Sequence, residues 1–263
     1  MPEDKILLER DGVRLTLADA VAYVTLCNPA RRNAQSPTLW RALVEAGRLL
    51  PGSVRVVVLR GEGASFSAGL DKQAFAPEGF DGEPSFLDMA RESEEELDAT
   101  IAGYQEAFTW WRRTDLITVA VVQGHAIGAG FQLALACDLR VCADDAQFAM
   151  RETSLGLVPD LTGTKPLVGL VGYGRALEIC VTGRLVRADE AERTGLANIV
   201  VPAADLDGTV DDLVSALLAP PRGAVNETKA LLRSAAAHPE ATQFAAERAA
   251  QGRRFRDLAG IGE

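Results

Sequence analysis

Residues 119–160 read VAVVQGHAIGAGFQLALACDLRVCADDAQFAMRETSLGLVPD, and the rest of the chain is organised around them. The apolar run 119–122 predicts a buried strand that breaks at Gly124. Gly128-Ala129-Gly130 makes a tight turn, and the apolar segment 131–137 has room for one or two helical turns before Asp138. A second buried strand follows at 139–143, and a loop then delivers Glu152 and, past Pro159, Asp160. In a strand, turn and helix so ordered, backbone N–H groups of the turn sit at the positive end of a helix dipole, which suits a developing anion. Carboxylates arriving from a later loop can move protons beside that anion. The pattern is the outline of an oxyanion site with acid/base groups.

Working outward, 263 residues suffice for one large domain, or a domain with a smaller appendage. An apolar fraction of 48% with 24% charged residues is ordinary for a soluble globular protein. The net charge of −10 argues against a nucleic-acid surface, so an anionic ligand has to be held by local arginines, lysines and backbone amides. Cys27, Cys137, Cys142 and Cys180 form no CxxC pair and no zinc-like spacing with the two histidines, so they read as buried free thiols and no metal is expected. The opening Met-Pro-Glu-Asp-Lys carries no signal-peptide core, which sets the cytoplasm as the expected location. Residues 116–137 lack a formal charge and are long enough to span a bilayer, but Gln123, His125, Gln132 and the glycines interrupt them. Strand, turn and helix explain the run without a membrane.

Residues 6–9, 13–17 and 21–26 read as strands, with Asp11-Gly12 a hairpin signal. An amphipathic helix over 39–50 precedes a valine-rich strand over 54–60, and this alternation argues for an α/β layout. Residues 76–92, with Pro77, Gly79, Gly82 and Pro84, predict a mobile loop or lid. Leu97, Ile101, Tyr104, Phe108 and Trp111 share one face of a long helix and read as core. Helices are expected at 175–181, 188–194, 205–218, 228–237 and 239–257, with extended chain at 199–202. Rival motifs fail: Phe66 stands where a dinucleotide fingerprint needs glycine, and no GxSxG elbow exists. His125 reads as packing beside the turn.

Several ordered motifs now agree. They are Gly124-His125-Ala126-Ile127-Gly128-Ala129-Gly130, Cys137-Asp138-Leu139-Arg140, Ala146-Gln147-Phe148, and Glu152 with Leu155-Gly156. Upstream stand Asn28-Pro29 with Arg32-Asn33-Ala34, and Phe66-Ser67-Ala68-Gly69-Leu70-Asp71; downstream stand Thr182-Gly183-Arg184 and Ala188-Asp189-Glu190-Ala191. Over about residues 10–235 the chain resembles the crotonase, or enoyl-CoA hydratase/isomerase, superfamily. The resemblance implies a spiral of repeated β-β-α turns over residues 1–202 and a C-terminal helical region, 203–263, that builds a homotrimer or dimer of trimers. In the family a final tail often helps line a neighbour's CoA site; the sequence ends at Glu263, before such a tail, and leaves that contact open.

The same resemblance implies an acyl-CoA substrate, with no cofactor beyond its coenzyme A. It places an oxyanion hole at the N–H groups of Leu70 and Ala129, and CoA contacts at Arg31, Arg32, Asn33, Ala68 and Leu70. The family's hydratases carry two glutamates, whereas here Gln132 stands at the first position and Glu152 at the second. Gln132 can hold a water or position substrate through its amide but cannot accept a proton. Double-bond isomerisation needs only one base, so Glu152 favours an enoyl- or dienoyl-CoA isomerase. Asp160 falls on the second proton-transfer carboxylate of the family's dienoyl-CoA isomerases; its alternative role is a helix N-cap. Two further readings stand beside this one: a hydratase in which Glu152 and Asp160 divide the work, and a non-catalytic acyl-CoA binding protein.

Overall fold

The computed structural model describes residues 5–80 and 82–261. Strands β1 (Lys5–Arg10), β2 (Val13–Ala18) and β3 (Val21–Leu26) form an antiparallel meander. Asp11 and Gly12, both with positive φ, turn the first hairpin as a right-twisting two-residue loop requires. The later strands are β4 (Val56–Gly61), β5 (Ile117–Val122), β6 (His125–Ile127), β7 (Leu139–Ala143), β8 (Gln147–Ala149), β9 (Val186–Arg187) and β10 (Ile199–Val201). Seven of the strands make one sheet in the order β1-β2-β3-β4-β5-β7-β10, parallel from β3 onward. A small second sheet, β6-β8-β9, lies beyond the end of β5.

The helices are α1 (Pro37–Leu49), α2 (Glu94–Thr109), α3 (Ala129–Ala136), α4 (Thr164–Val171), α5 (Tyr173–Thr182), α6 (Ala188–Arg193), α7 (Leu206–Leu218), α8 (Arg222–Ala235) and α9 (Glu240–Leu258). Covered sheet faces explain why the central strands read as apolar runs rather than alternating ones. Val57, Leu59, Ala120 and Val122 belong to a core shared with Leu43 of α1 and Phe131 of α3. On the other side Val56, Val58, Val119 and Val121 pack with Leu206, Val210 and Val214 of α7. Helix α7 therefore completes the sheet's core. Helix α8 is tied down by Lys229, only 6% exposed, whose Nζ donates to Asp138 Oδ2 at 2.6 Å and to the Leu116 carbonyl at 2.7 Å.

The mixed α/β layout with its parallel sheet is the one expected. The uncharged run 116–137 is divided among β5, β6 and α3, and among the described residues no helix is long and apolar enough to cross a membrane. Strands β6, β8 and β9 were not expected, because two or three residues carry no readable period. Helix α8 begins at Arg222 rather than at 228: Pro221 takes its N-cap position, where a missing N–H costs nothing. The expected face of α2 is split. Phe108 and Trp111 are core, whereas Leu97, Ile101 and Tyr104 line a cavity. Within the expected loop, Phe86, Met89 and Ala90 line that cavity, with a 3-10 turn at Asp88–Arg91 and the Phe86 N–H on the Ala74 carbonyl at 2.8 Å. Of the thiols, Cys137 and Cys142 are buried and Cys27 and Cys180 half-buried; all four are free. Burial pushes the Cys142 thiol up to about 12.

Candidate active site

Two loops meet above the end of the sheet. The first, through Ser67-Ala68-Gly69-Leu70, is stitched to 32–35 by Ala68 N–H on Arg32 O and Gln35 N–H on Gly69 O, each at 2.8 Å. The second enters α3. Ser67 N–H donates to His125 O at 2.8 Å and Ile127 N–H to Ser67 O at 3.0 Å, so the loops run side by side. Gly69 has φ +85°, and a Cβ there would collide with the Ile127 carbonyl. Gly128, at φ +51° and ψ −119°, caps the N-terminus of α3 in a conformation closed to other residues. Each glycine thus turns the next residue's N–H, that of Leu70 or Ala129, out of the backbone ladder. Among the described residues neither N–H meets a protein acceptor. Such a pair of free donors at a helix start suits an oxyanion.

Glu152 lies beneath them. A Cβ on Gly128 would sit 3.4 Å from Glu152 Oε1, in ordinary van der Waals contact, so the carboxylate lies directly against the turn. Gln132, fully buried, donates its amide N–H to that oxygen at 2.7 Å. The orientation of this amide is set by its surroundings, because Oε1 of Gln132 accepts from Leu161 N–H at 2.9 Å and from Gly163 N–H at 3.2 Å. The other Glu152 oxygen, Oε2, is buried and has no partner among the described residues. Burial, opposed by the Gln132 hydrogen bond and helped by the charge of Asp160, raises the Glu152 pKa above the usual carboxylate range. Burial raises Asp160 as well.

Gln132 corrects an expectation. It does not line the acyl-side cavity; it holds the Glu152 carboxylate and the loop that follows. That loop holds Thr162 at φ +66°, an uncommon conformation for threonine. Three side chains clamp it: Gln132, Arg112 on the Thr162 carbonyl at 3.2 Å, and Gln105 on the Asp160 carbonyl at 2.6 Å. Asp160 is not a helix cap, since α4 starts at Thr164 with Gly163 as its N-cap. Sequence reading missed Gln105 and Arg112, two polar residues beside an apolar helical stripe with no motif of their own.

Two cavities share Leu70, Ala129 and Glu152. One, of about 350 Å³, is apolar, with Trp40, Phe86 and Ile101 in its walls and Asp160 beside Glu152. The other, of about 420 Å³, runs past Ala68, Lys72, Arg151 and Ser154. A thioester carbonyl at the junction would face both free N–H groups and Glu152, with an apolar tail on one side and a polar carrier on the other.

Comparison with known proteins agrees. A family model described as Enoyl-CoA hydratase/isomerase matches residues 16–258. The chain belongs to the enoyl-CoA hydratase/isomerase family. Hydroxycinnamoyl-CoA hydratase-lyase of Pseudomonas fluorescens is 32% identical over 212 residues, covering 78% of this chain and 72% of that protein. The mitochondrial Delta(3,5)-Delta(2,4)-dienoyl-CoA isomerase of Homo sapiens is 35% identical over 196 residues, covering 73% and 59%. Among solved structures, a candidate enoyl-CoA hydratase of Thermobifida fusca YX in complex with acetoacetyl-CoA superposes with a TM-score of 0.89 at 50% identity, covering 94% of this chain and 95% of that one.

For a member of the enoyl-CoA hydratase/isomerase family, the expected CoA-side residues divide unevenly. Ala68 and Leu70 line the second cavity. Arg32 is exposed on the loop that holds Ala68. Arg31 pairs with Asp71 at 2.7 Å and donates to Gln73 at 2.8 Å, which fixes its guanidinium beside the 67–71 loop while leaving further N–H donors exposed. Asn33 is a correction: it is fully buried, and its Nδ2 lies within 2.9 Å of the Glu62 and Ser65 carbonyls while its Oδ1 accepts from Asn28 N–H at 3.0 Å. With its amide committed to two loops it has no group left for CoA. Lys72 and Arg151, which the sequence reading passed over, stand at the cavity instead.

Proposed function

We propose that this protein shifts a double bond of an enoyl- or dienoyl-CoA thioester, with Glu152 as base and the Leu70 and Ala129 N–H groups as oxyanion hole. One observation carries the reading: the Glu152 carboxylate, with one oxygen held by Gln132 and the other buried without a partner among the described residues, at the junction of the two cavities. Glu152 takes a proton from C2, and the electron pair spreads to the thioester oxygen, which the two N–H groups receive. Return of the proton to C4 restores a neutral, conjugated product. In a 3,5-dienoyl thioester the accepting carbon lies farther along the tail, on the side of Asp160, and a protonated Asp160 supplies that proton. The raised pKa values serve both steps, since they strengthen the base and keep the acid protonated nearer neutrality.

Both lone-pair directions of the Gln132 oxygen are occupied by backbone N–H groups, so nothing at that position can deprotonate a water. This weighs against a two-glutamate hydratase. A hydratase in which Glu152 and Asp160 share the proton work is the second reading, supported by their presence in one cavity. The chemistry draws on no cofactor beyond the CoA of the substrate. The assembly we infer is a trimer or dimer of trimers: Tyr173, Leu177 and Val181 form an exposed stripe along α5, and Phe255 and Leu258 are exposed on α9.

The test is product analysis after incubation with 2-enoyl, 3-enoyl and 3,5-dienoyl thioesters. Glu152→Gln lowers kcat by about 10²–10⁴ with acyl-CoA affinity retained. Asp160→Asn lowers turnover of the dienoyl substrate strongly and of the 3-enoyl one little. Unaltered turnover in both variants removes these carboxylates from the mechanism, and a parent that binds acyl-CoA without turning it over is a binding protein.

A further inference from the structure

Behind the acyl cavity lies a second chamber of about 670 Å³, between α1, α2 and residues 83–92. The two spaces share four side chains: Trp40, Phe86, Met89 and Tyr104. We propose that this aromatic partition sets the acyl specificity of the enzyme, admitting a neutral tail of up to about a dozen non-hydrogen atoms and stopping longer ones. The proposal rests on the acyl-CoA reading above, but on no particular reaction.

The partition is built of fixed and movable parts. Trp40 is 3% exposed and its indole N–H is held by Gln35 Oε1 at 2.8 Å, so it is a post. Tyr104 packs against it with ring centroids 4.9 Å apart, and Phe86 stacks on Tyr104 at 5.9 Å with 17° between planes. Both of these rings are half-buried. Beyond the screen the character of the walls changes. Arg41, Arg48, Glu83 and Glu92 line the far chamber, and Arg41 is paired with Glu83 there. The Tyr104 phenol has its pKa raised by burial and then by Glu83 and Glu92, the acids of that chamber.

Size and charge follow. A space of about 350 Å³ takes roughly a dozen water-sized groups at ~30 Å³ each, which is an acyl chain of about ten carbons or a single ring on a short linker. Apart from the Tyr104 phenol, the ionisable side chains lining it are Glu152 and Asp160, both acidic, with no cation among the described residues. A tail that ends in a carboxylate would meet like charge in an apolar space, and its desolvation would go uncompensated.

The experiment is a binding series of saturated straight-chain acyl-CoA thioesters from C4 to C16, which needs no turnover. Parent affinity rises about fourfold per buried methylene to about C10 and then stops rising. Tyr104→Ala and Phe86→Ala, each made singly, open the screen: the affinity ratio of C14 over C8 rises at least tenfold above the parent's. An octanoyl thioester carrying a terminal carboxylate binds the parent at least 10²-fold more weakly than octanoyl-CoA. An unbroken rise to C16 in the parent overturns the proposal, as does an unchanged C14 to C8 ratio in both variants. Should one variant fail to fold, the other and the parent series still decide. Loss of the isomerase reading would leave a length break intact, so the two failures are distinguishable.

Discussion

Gln132→Glu tests the arrangement at the base most directly. In the parent, the Gln132 oxygen accepts from Leu161 and Gly163, and its nitrogen donates to Glu152 Oε1 at 2.7 Å. The substitution keeps the accepting oxygen and turns the donor into a second carboxylate oxygen. Two carboxylates at that distance cannot both ionise freely, and they share one proton; such pairs separate their two ionisations by about three pH units. Glu152, already raised by burial, is then held protonated to higher pH than in the parent. A base acts only when deprotonated, so its rate rises with pH through its pKa, and raising that pKa moves the ascending limb to higher pH. The expected result is a 3-enoyl isomerisation rate about 10²-fold lower at pH 7, recovering about tenfold per pH unit until the limb levels. Hydration of a 2-enoyl thioester rises, because a pair sharing one proton offers a base and an acid to the same water. The measurements are kcat against pH for both reactions, with circular dichroism to check the fold. An ascending limb that stays where the parent's lies would refute the hydrogen-bond assignment at Gln132.

Gln105→Leu removes the donor to the Asp160 carbonyl; turnover of a 3,5-dienoyl thioester should fall about tenfold or more while that of a 3-enoyl one changes little, and equal losses on both substrates would show a merely structural role. Glu152→Gln should stabilise the protein against heat by about 0.5–2 kcal/mol at pH 8, because it relieves a buried charge whose Oε2 has no partner among the described residues. The sign follows from a folded-state pKa raised above the unfolded one: stability is full below the unfolded pKa and lost as pH rises through the folded pKa. The gain should therefore vanish near pH 4, and a gain that persists there would contradict the assignment. Sedimentation at micromolar concentration should find a trimer or hexamer, since the α5 and α9 residues Tyr173, Val181 and Leu258 stand more than 60% exposed in the single chain; a stable monomer would refute this.

What the sequence determined by itself is local. Period and composition placed the sheet strands within a residue or two, because a strand buried on both faces must be apolar throughout and Asp11-Gly12 admits few turns. Resemblance then placed Leu70, Ala129, Glu152 and Asp160, and the structure brings all four to the walls of one cavity. Strands β6, β8 and β9 were illegible, since their length holds no period and their pairing partners lie far along the chain. The same distance hid the site's supports. Asn33 looks like a ligand contact until Glu62, Ser65 and Phe66 come to surround it. Gln132 reads as a weakened glutamate, yet its role comes from Leu161 and Gly163, brought to it from the far side of a loop. Tyr104 and Phe108 occupy the same helical stripe, one walling a cavity and one sealed in the core. A side chain's chemistry is written in the sequence, but whether its polar atoms are spent or free depends on neighbours that only tertiary packing supplies.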